Sequence, residues 1–151
     1  MIVRLDRRQV LAASGSALAT VAFGAISPAQ AANDSADLIK KFTGGKVPTE
    51  GKVKLDLPEI AENGNSVTIA FDIDHPMIPE RHVTEVLVVA DSNPSPRVAT
   101  FRFTPMSGRA AAATRIRLAG TQVVSVLAKT SDGNLFMTQR QVKVTVGGCG
   151  G

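Results

Sequence analysis

Hydrophobic and polar positions alternate along most of the chain after Lys52, with the two-residue period of a half-buried β-strand. The alternation is clearest over 67–73, where valine, isoleucine and phenylalanine occupy every second position. Residues 83–90 are apolar almost throughout, which is typical of a central strand. We predict seven strands, over 53–57, 67–73, 83–90, 98–103, 115–118, 123–128 and 135–146.

Turn-forming residues separate these strands. A turn is predicted at 62–65, a rigid Pro-containing loop at 91–96, and a hairpin turn at 131–134. Ahead of the strands, Asp34 and Ser35 are residues that cap helices, and Gly44 and Gly45 end them, so a short helix is expected through Phe42. One short helix followed by seven short strands predicts an all-β chain, an immunoglobulin-like antiparallel β-sandwich.

The first 31 residues resemble an export signal. Arg7 and Arg8 precede an apolar run rich in Ala, Gly and Ser, and a small-x-small sequence ends at Ala31. The paired arginines are typical of twin-arginine export, and the run falls short of the roughly 20 strongly apolar residues of a spanning helix. We therefore expect cleavage after Ala31 and a periplasmic mature protein without a membrane segment. The chain divides into a signal peptide (1–31), a sandwich domain with its leading helix (32–146) and an arm (147–151).

Composition narrows the chemistry. The single cysteine excludes an intramolecular disulfide and any cysteine-based zinc or iron–sulfur site within the chain. No cofactor motif is visible, so no cofactor is predicted. Because twin-arginine export carries folded proteins, often with a bound companion, a companion chain is expected to travel with this one.

Charge argues against nucleic-acid binding. The formal net charge is +4, and Arg4, Arg7 and Arg8 against Asp6 place part of it in the predicted signal. The rest of the chain is nearly balanced, and its phenylalanines lie mostly in apolar alternations typical of a core rather than of a stacking surface.

The C-terminal segment holds the only thiol, in the order Gly147, Gly148, Cys149, Gly150, Gly151. Glycine gives backbone freedom without bulk, so this segment can enter narrow clefts. It contains no His, Lys or Arg to activate the thiol, and no rigid scaffold to hold a base, so Cys149 is poorly suited to be a catalytic nucleophile. We expect a flexible arm on which Cys149 carries a covalently attached substrate between partner enzymes.

Two other interpretations of Cys149 stay open. An odd cysteine in an exported protein often forms an intermolecular disulfide, which would make the chain a structural or adhesive module dimerised through its tail. A thiol oxidoreductase is the third possibility. A disordered tail without a function would explain the glycines, but it would not explain why the only thiol lies at their centre.

Three stretches resemble the SoxY family of bacterial thiosulfate oxidation: 93–105 (NPSPRVATFRFTP), 114–118 (TRIRL) and the ending 146–151 (VGGCGG). The resemblance implies a periplasmic, noncatalytic sulfur carrier with an immunoglobulin-like fold, paired with a SoxZ-like subunit. It places the carrier thiol at Cys149. It also implies three partner enzymes: SoxAX, a haem enzyme that joins thiosulfate to the thiol, SoxB, a hydrolase that releases sulfate, and in some bacteria SoxCD, which oxidises the sulfur left behind.

Two further groups of side chains bear on metal binding and on partner contacts. Imidazole and thioether groups that suit copper occur at His75, Met77, His82 and Met106. They lack a fixed ligand spacing and lie around a Pro-rich turn, so no metal is predicted. Arginines alternate on the presumed strands at Arg97, Arg102, Arg115 and Arg117. They predict a solvated face, part of which can meet an acidic partner surface.

Overall fold

The computed structural model describes residues 28–147. It contains a helix, eight strands and a short 3₁₀ helix between β5 and β6. In chain order these are α1 (Pro28–Thr43), β1 (Val53–Asp56), β2 (Ile60–Asn63), β3 (Val67–Ile73), β4 (Val83–Ala90), β5 (Arg97–Arg102), the 3₁₀ helix (Pro105–Ser107), β6 (Ala111–Ile116), β7 (Gln122–Thr130) and β8 (Leu135–Val146). Within this part of the chain, no helix combines the length and the hydropathy needed to cross a membrane.

The strands form two sheets that enclose one core. One sheet has the order β1-β3-β6 and the other the order β2-β8-β7-β4-β5. Neighbouring strands are antiparallel except for β2, which runs parallel to β8. The predicted sandwich with a leading helix is confirmed, with one strand more than the seven predicted.

The additional strand, β2, has no alternating pattern. Within it Ala61 is buried, whereas Ile60 is 60% exposed. It is held by backbone pairing with the edge of β8, and the amide of Lys143 also donates to the carbonyl of Glu59 at 2.8 Å. Since backbone groups pair whatever the side chains are, the hydrophobic pattern did not predict it. Its last two residues lie in the segment predicted as a turn, and the turn itself begins at Gly64.

A second apolar layer explains the continuous hydrophobic run of β4. On the outer face of the larger sheet, Leu87, Val89 and Leu127 form a buried cluster. Side chains of α1 and β8 cover it: Leu38, Ile39, Phe42 and Met137. The central strands β4 and β7 are therefore buried on both faces, and helix burial contributes to the stability of the sheet.

Two predicted elements begin several residues earlier than expected. Helix α1 begins at Pro28 rather than at the Asp34–Ser35 cap. Proline suits the first helical turn, and the alanines that follow have the highest helix propensity, so helix extends toward the N-terminus. Strand β6 begins at Ala111, where a run of alanines gives no alternation, and ends at Ile116 rather than at Leu118.

Loops gather at the two opposite ends of the sandwich. The end of β8, the turn after β2 and the loops 91–96 and 117–121 lie at one end, which we call the arm end. The segments 74–82, 103–110 and 131–134 lie at the other. The predicted hairpin turn at 131–134 is confirmed: the Gly133 amide donates to the Thr130 carbonyl at 3.1 Å.

Candidate functional site

The candidate site is the root of the C-terminal arm, where β8 ends and Gly147 follows as the last described residue. The other predicted site residues lie outside the described residues: Gly148, Cys149, Gly150, Gly151, Arg7 and Arg8. The geometry of residues 28–147 therefore defines where the arm starts and what surrounds its start.

The end of β8 is fastened to the turn that follows β2. The amide of Gly64 donates to the carbonyl of Val146 at 2.8 Å, and the hydroxyl of Thr145 donates to the carbonyl of Glu62 at 2.9 Å. The carbonyl of Gly64 in turn accepts from the amide of the buried Leu118 at 2.8 Å. Gly64 thus links the last strand residue to the loop 117–121.

Gly147 passes close to that same loop. A Cβ atom built on Gly147 would lie 2.5 Å from the carbonyl oxygen of Ala119, which is closer than real Cβ atoms approach a backbone oxygen. The sequence predicted Gly147 as part of a freely rotating arm. The structure shows that packing also requires glycine at this position, because a side chain would collide with fixed backbone.

The amide side chain of Asn93 holds the loop that meets Gly147. Its Oδ1 atom accepts from the amide of Ala119 at 2.9 Å and from Nε2 of Gln122 at 3.0 Å. Its Nδ2 atom donates to the carbonyl of Arg117 at 2.9 Å. One side chain therefore fixes both the entry and the centre of the loop 117–121.

Gln122, at the start of β7, completes this arrangement. It is 3% exposed, its Nε2 also donates to the carbonyl of Gly120 at 3.2 Å, and its Oε1 accepts from the amide of Ser92 at 2.9 Å. A buried amide with unpaired atoms would be costly, and here both polar atoms have partners. The loops 91–96 and 117–121 are thereby joined into one rigid platform beside Gly147.

Neither histidine of the chain lies near this platform. The amide of His82 donates to the hydroxyl of Ser131 at 3.0 Å, and the amide of Ser131 donates back to the carbonyl of His82 at 2.8 Å. Ser131 follows the far end of β7, whose nine residues from Gln122 span roughly 26–30 Å. Two residues beyond Gly147 reach at most about 7 Å. His75 lies in the same far segment, so both imidazoles lie at the end of the sandwich opposite Gly147.

The imidazole and thioether side chains named above as suited to copper are not arranged as a common site. The sulfur of Met77 accepts from the amide of Val83 at 3.4 Å, and Nδ1 of His75 faces the carbonyl of Pro76 at 3.0 Å. Met106 is 96% exposed. Among residues 28–147, no three His, Asp or Glu side chains group as a metal site would require.

Three of the four predicted surface arginines line one cleft at the side of the sandwich. The cleft measures about 530 Å³ and lies between the edge strands β5 and β6. Arg97 borders it from β5, and Arg115 and Arg117 border it from β6 and the loop after it. Arg102, the fourth, is not part of its lining.

Comparison with known protein families shows which family this chain belongs to. The model of the family described as "Sulfur oxidation protein SoxY" matches residues 39–149, more than half of the chain. The chain belongs to the SoxY family. The resemblance predicted from 93–105, 114–118 and 146–151 is thereby confirmed, and the matched region runs through Cys149. A search of curated proteins found no match.

Solved structures agree with the SoxY assignment. The chain is similar to the sulfur carrier protein SoxY from Chlorobium limicola f thiosulfatophilum, with 30% identity and a TM-score of 0.62 over 77% of this chain and 96% of that one. It is also similar to superoxide reductase (neelaredoxin) from Ignicoccus hospitalis, with 13% identity and a TM-score of 0.56 over 62% and 79% of the two chains. The latter likeness, at such low identity, shows a shared fold alone.

The platform beside Gly147 in this SoxY-family chain was not predicted from the sequence. Asn93 lay in the predicted rigid loop, and Gln122 just before a predicted strand, without any role assigned to either. A glutamine directly before an apolar strand is the one signal in the sequence, since such a side chain needs partners once the strand is buried. Which partners it finds depends on two loops that are far apart in the chain.

Proposed function

We propose that this chain is a noncatalytic, covalent carrier of sulfur intermediates in periplasmic thiosulfate oxidation, with Cys149 as the attachment site. The observation that supports the proposal is the family match through residue 149, which includes the only thiol of the chain. The four glycines around it, Gly147, Gly148, Gly150 and Gly151, would let the thiol enter the active sites of other proteins.

The chemistry needs only a thiol on this chain. Loading forms a bond between Sγ of Cys149 and the terminal sulfur of thiosulfate, releases the thiol proton and passes two electrons to a SoxAX-like haem enzyme. In the next step a SoxB-like hydrolase adds water to the sulfonate sulfur, the sulfur–sulfur bond breaks, and sulfate leaves. A persulfide stays on Cys149, on the reversible side of thiol chemistry, where a SoxCD-like enzyme can oxidise it further.

The surroundings of the arm root favour a carrier over an enzyme. Both histidines lie roughly 26 Å or more from the arm end, whereas Cys149 is within about 7 Å of Gly147. A nucleophilic cysteine needs a base held at hydrogen-bond distance. The partner enzymes would therefore supply the activating groups, and one thiol would serve several of them in turn.

The carrier role is tested with Cys149→Ser in the complex with the companion subunit. Since the substitution removes only the nucleophile, the variant should fold and bind its companion as the parent does, yet support no thiosulfate-dependent electron transfer. Intact mass of the parent from thiosulfate-grown cells should show added sulfur or thiosulfonate that reductant removes. Turnover retained by Cys149→Ser would contradict the proposal, and a doubled mass without any sulfur adduct would favour the disulfide-linked module.

Export and partnership form the second part of the proposal. The pair Arg7–Arg8 supports twin-arginine export of the folded chain together with a SoxZ-like companion. Replacing both arginines with lysine should leave this chain and the companion together in the cytoplasm, as measured by fractionation and immunoblotting. A companion that still reached the periplasm alone would contradict joint export.

A further inference from the structure

The cleft between β5 and β6 is lined by basic side chains. Its lining contains the guanidinium groups of Arg97, Arg115 and Arg117 together with hydroxyl and amide side chains, and it contains no carboxylate. Within residues 28–147 these three guanidinium groups make no ion pair and no side-chain hydrogen bond. Like charges gathered along one cleft repel one another, so the cleft favours an anionic partner.

An arginine that serves the fold is arranged differently in this protein. On the smaller sheet, Nε of Arg109 donates to Oδ1 of Asp72 at 3.1 Å, and a second nitrogen contacts the other carboxylate oxygen. Arg97 also borders a neighbouring hollow that contains Asp34 and Asp37, yet it forms an ion pair with neither. Arg115 and Arg117 have no acidic residue along the cleft they line.

The position of the cleft connects it to the arm. At the arm end its lining includes Asn93 and Arg117, which are joined by the hydrogen bond from the Asn93 side chain to the carbonyl of Arg117. Two residues further on, Ala119 meets Gly147. Because Cys149 reaches only about 7 Å beyond Gly147, any enzyme that takes the thiol into its active site must lie against the arm end of the sandwich. The basic cleft borders that contact area.

The cleft also has the shape of a docking surface. It runs between two edge strands, where the backbone is not paired with a further strand, and half-buried Val98 and Phe101 form part of its wall. Edge strands with unpaired backbone groups are ready to receive an extended segment of another protein. Arginines around such an edge would select a segment that carries carboxylates.

We propose that the cleft between β5 and β6 docks an acidic surface segment of the enzymes that load and unload Cys149. This inference rests on the proposed carrier function and adds the surface by which the carrier body is recognised. Charge at the rim of an interface mainly accelerates association, and this acceleration decreases as salt screens the charges. The cleft would therefore lower the KM of an enzyme for the carrier while leaving the chemical step unchanged.

The test compares two double variants of the full carrier complex. Arg115→Ser with Arg117→Ser removes two charges from the cleft, and Arg81→Ser with Arg102→Ser removes two exposed charges elsewhere. Sulfate release by the SoxB-like hydrolase is followed at increasing carrier concentration and at low and high salt. The cleft variant should raise KM about tenfold at low salt, with kcat within about twofold, and the difference should shrink at high salt. Lysine at both positions keeps the positive charge and should therefore return KM most of the way to the value of the parent.

Several outcomes would overturn the inference. Equal KM values for the cleft and control variants would do so. If the cleft variant with unchanged KM also aggregated more readily, the arginines would instead serve to keep the edge strands from pairing with other chains. Loss of the companion subunit from the cleft variant would assign the cleft to that subunit. A further outcome is that the parent binds free thiosulfate in calorimetry, the cleft variant does not, and KM is unchanged. The cleft would then be a site for a small anion. Failure of the carrier function itself is distinguishable, because the parent would then show no turnover either.

Discussion

The carbonyl oxygen of Ala119 occupies the space in which a side chain on Gly147 would begin, 2.5 Å from where that Cβ would lie. The contact joins the last described residue of the chain to the loop between β6 and β7. It gives the arm a defined starting point on a rigid body, although the arm consists of glycines around one cysteine. For a carrier, a fixed arm root followed by a short chain would limit how deep the active site of a partner can lie if the thiol is to reach it.

Gly147→Ala should displace the arm root, whereas Gly120→Ala should not. The new methyl group at 147 would meet the carbonyl of Ala119, while a Cβ at 120 meets nothing within 4 Å. The root would have to move away, which weakens the hydrogen bond from Gly64 to Val146. We expect the Gly64 amide to exchange with solvent about tenfold faster in Gly147→Ala, measured by NMR. Unchanged exchange in both variants would contradict the close approach.

Asn93→Ala should destabilise the platform by about 1–3 kcal/mol in the free energy of unfolding, measured with urea. The substitution leaves the amide of Ala119, the carbonyl of Arg117 and one hydrogen of Gln122 without their partner. Asn93→Asp keeps the acceptor and loses the donor, so it should lie between Asn93→Ala and the parent. Asn134→Ala, in the exposed turn at the other end, is the matched control. A loss no greater than that of the control would argue against the platform.

The Asp72–Arg109 pair should contribute stability that disappears in acid. A hydrogen bond from Arg109, with the favourable charge of the guanidinium, holds the pKa of Asp72 below its ordinary value. Because the folded pKa is depressed, the contribution is complete above the unfolded pKa, about 3.9, and is lost as pH falls through the folded pKa.

Arg109→Gln should therefore be less stable than the parent near pH 6 and approach it near pH 2, measured by urea unfolding at each pH. Arg81→Gln removes an exposed charge that forms no ion pair within residues 28–147, so it should show no such convergence. A constant difference between Arg109→Gln and the parent across this range would show that the ion pair is not its source. Salt should reduce the difference near pH 6, since the pair is partly exposed.

Much of the fold could be predicted from the sequence because it follows from side-chain periodicity. Strands β3, β4 and β8 match their predicted bounds, since each buries a regular or continuous apolar set. The ending with Cys149 could be singled out for a similar reason: one thiol among glycines is a local chemical feature that needs no fold to be recognised. The family assignment rests on such local stretches, and the comparison confirms it.

Tertiary structure decided what depends on segments distant in the chain. Strand β2 exists because its backbone pairs with β8, and a backbone pairing leaves no hydrophobic pattern in the sequence. Gly147 is required by the carbonyl of Ala119, and Asn93 finds Gln122 only when two loops meet at the arm end. The arginines form one cleft because β5 and β6 become neighbouring edges of different sheets. The sequence by itself determined the strand pattern and singled out Cys149 as the candidate carrier thiol, whereas the surroundings of Gly147 follow from contacts that only folding creates.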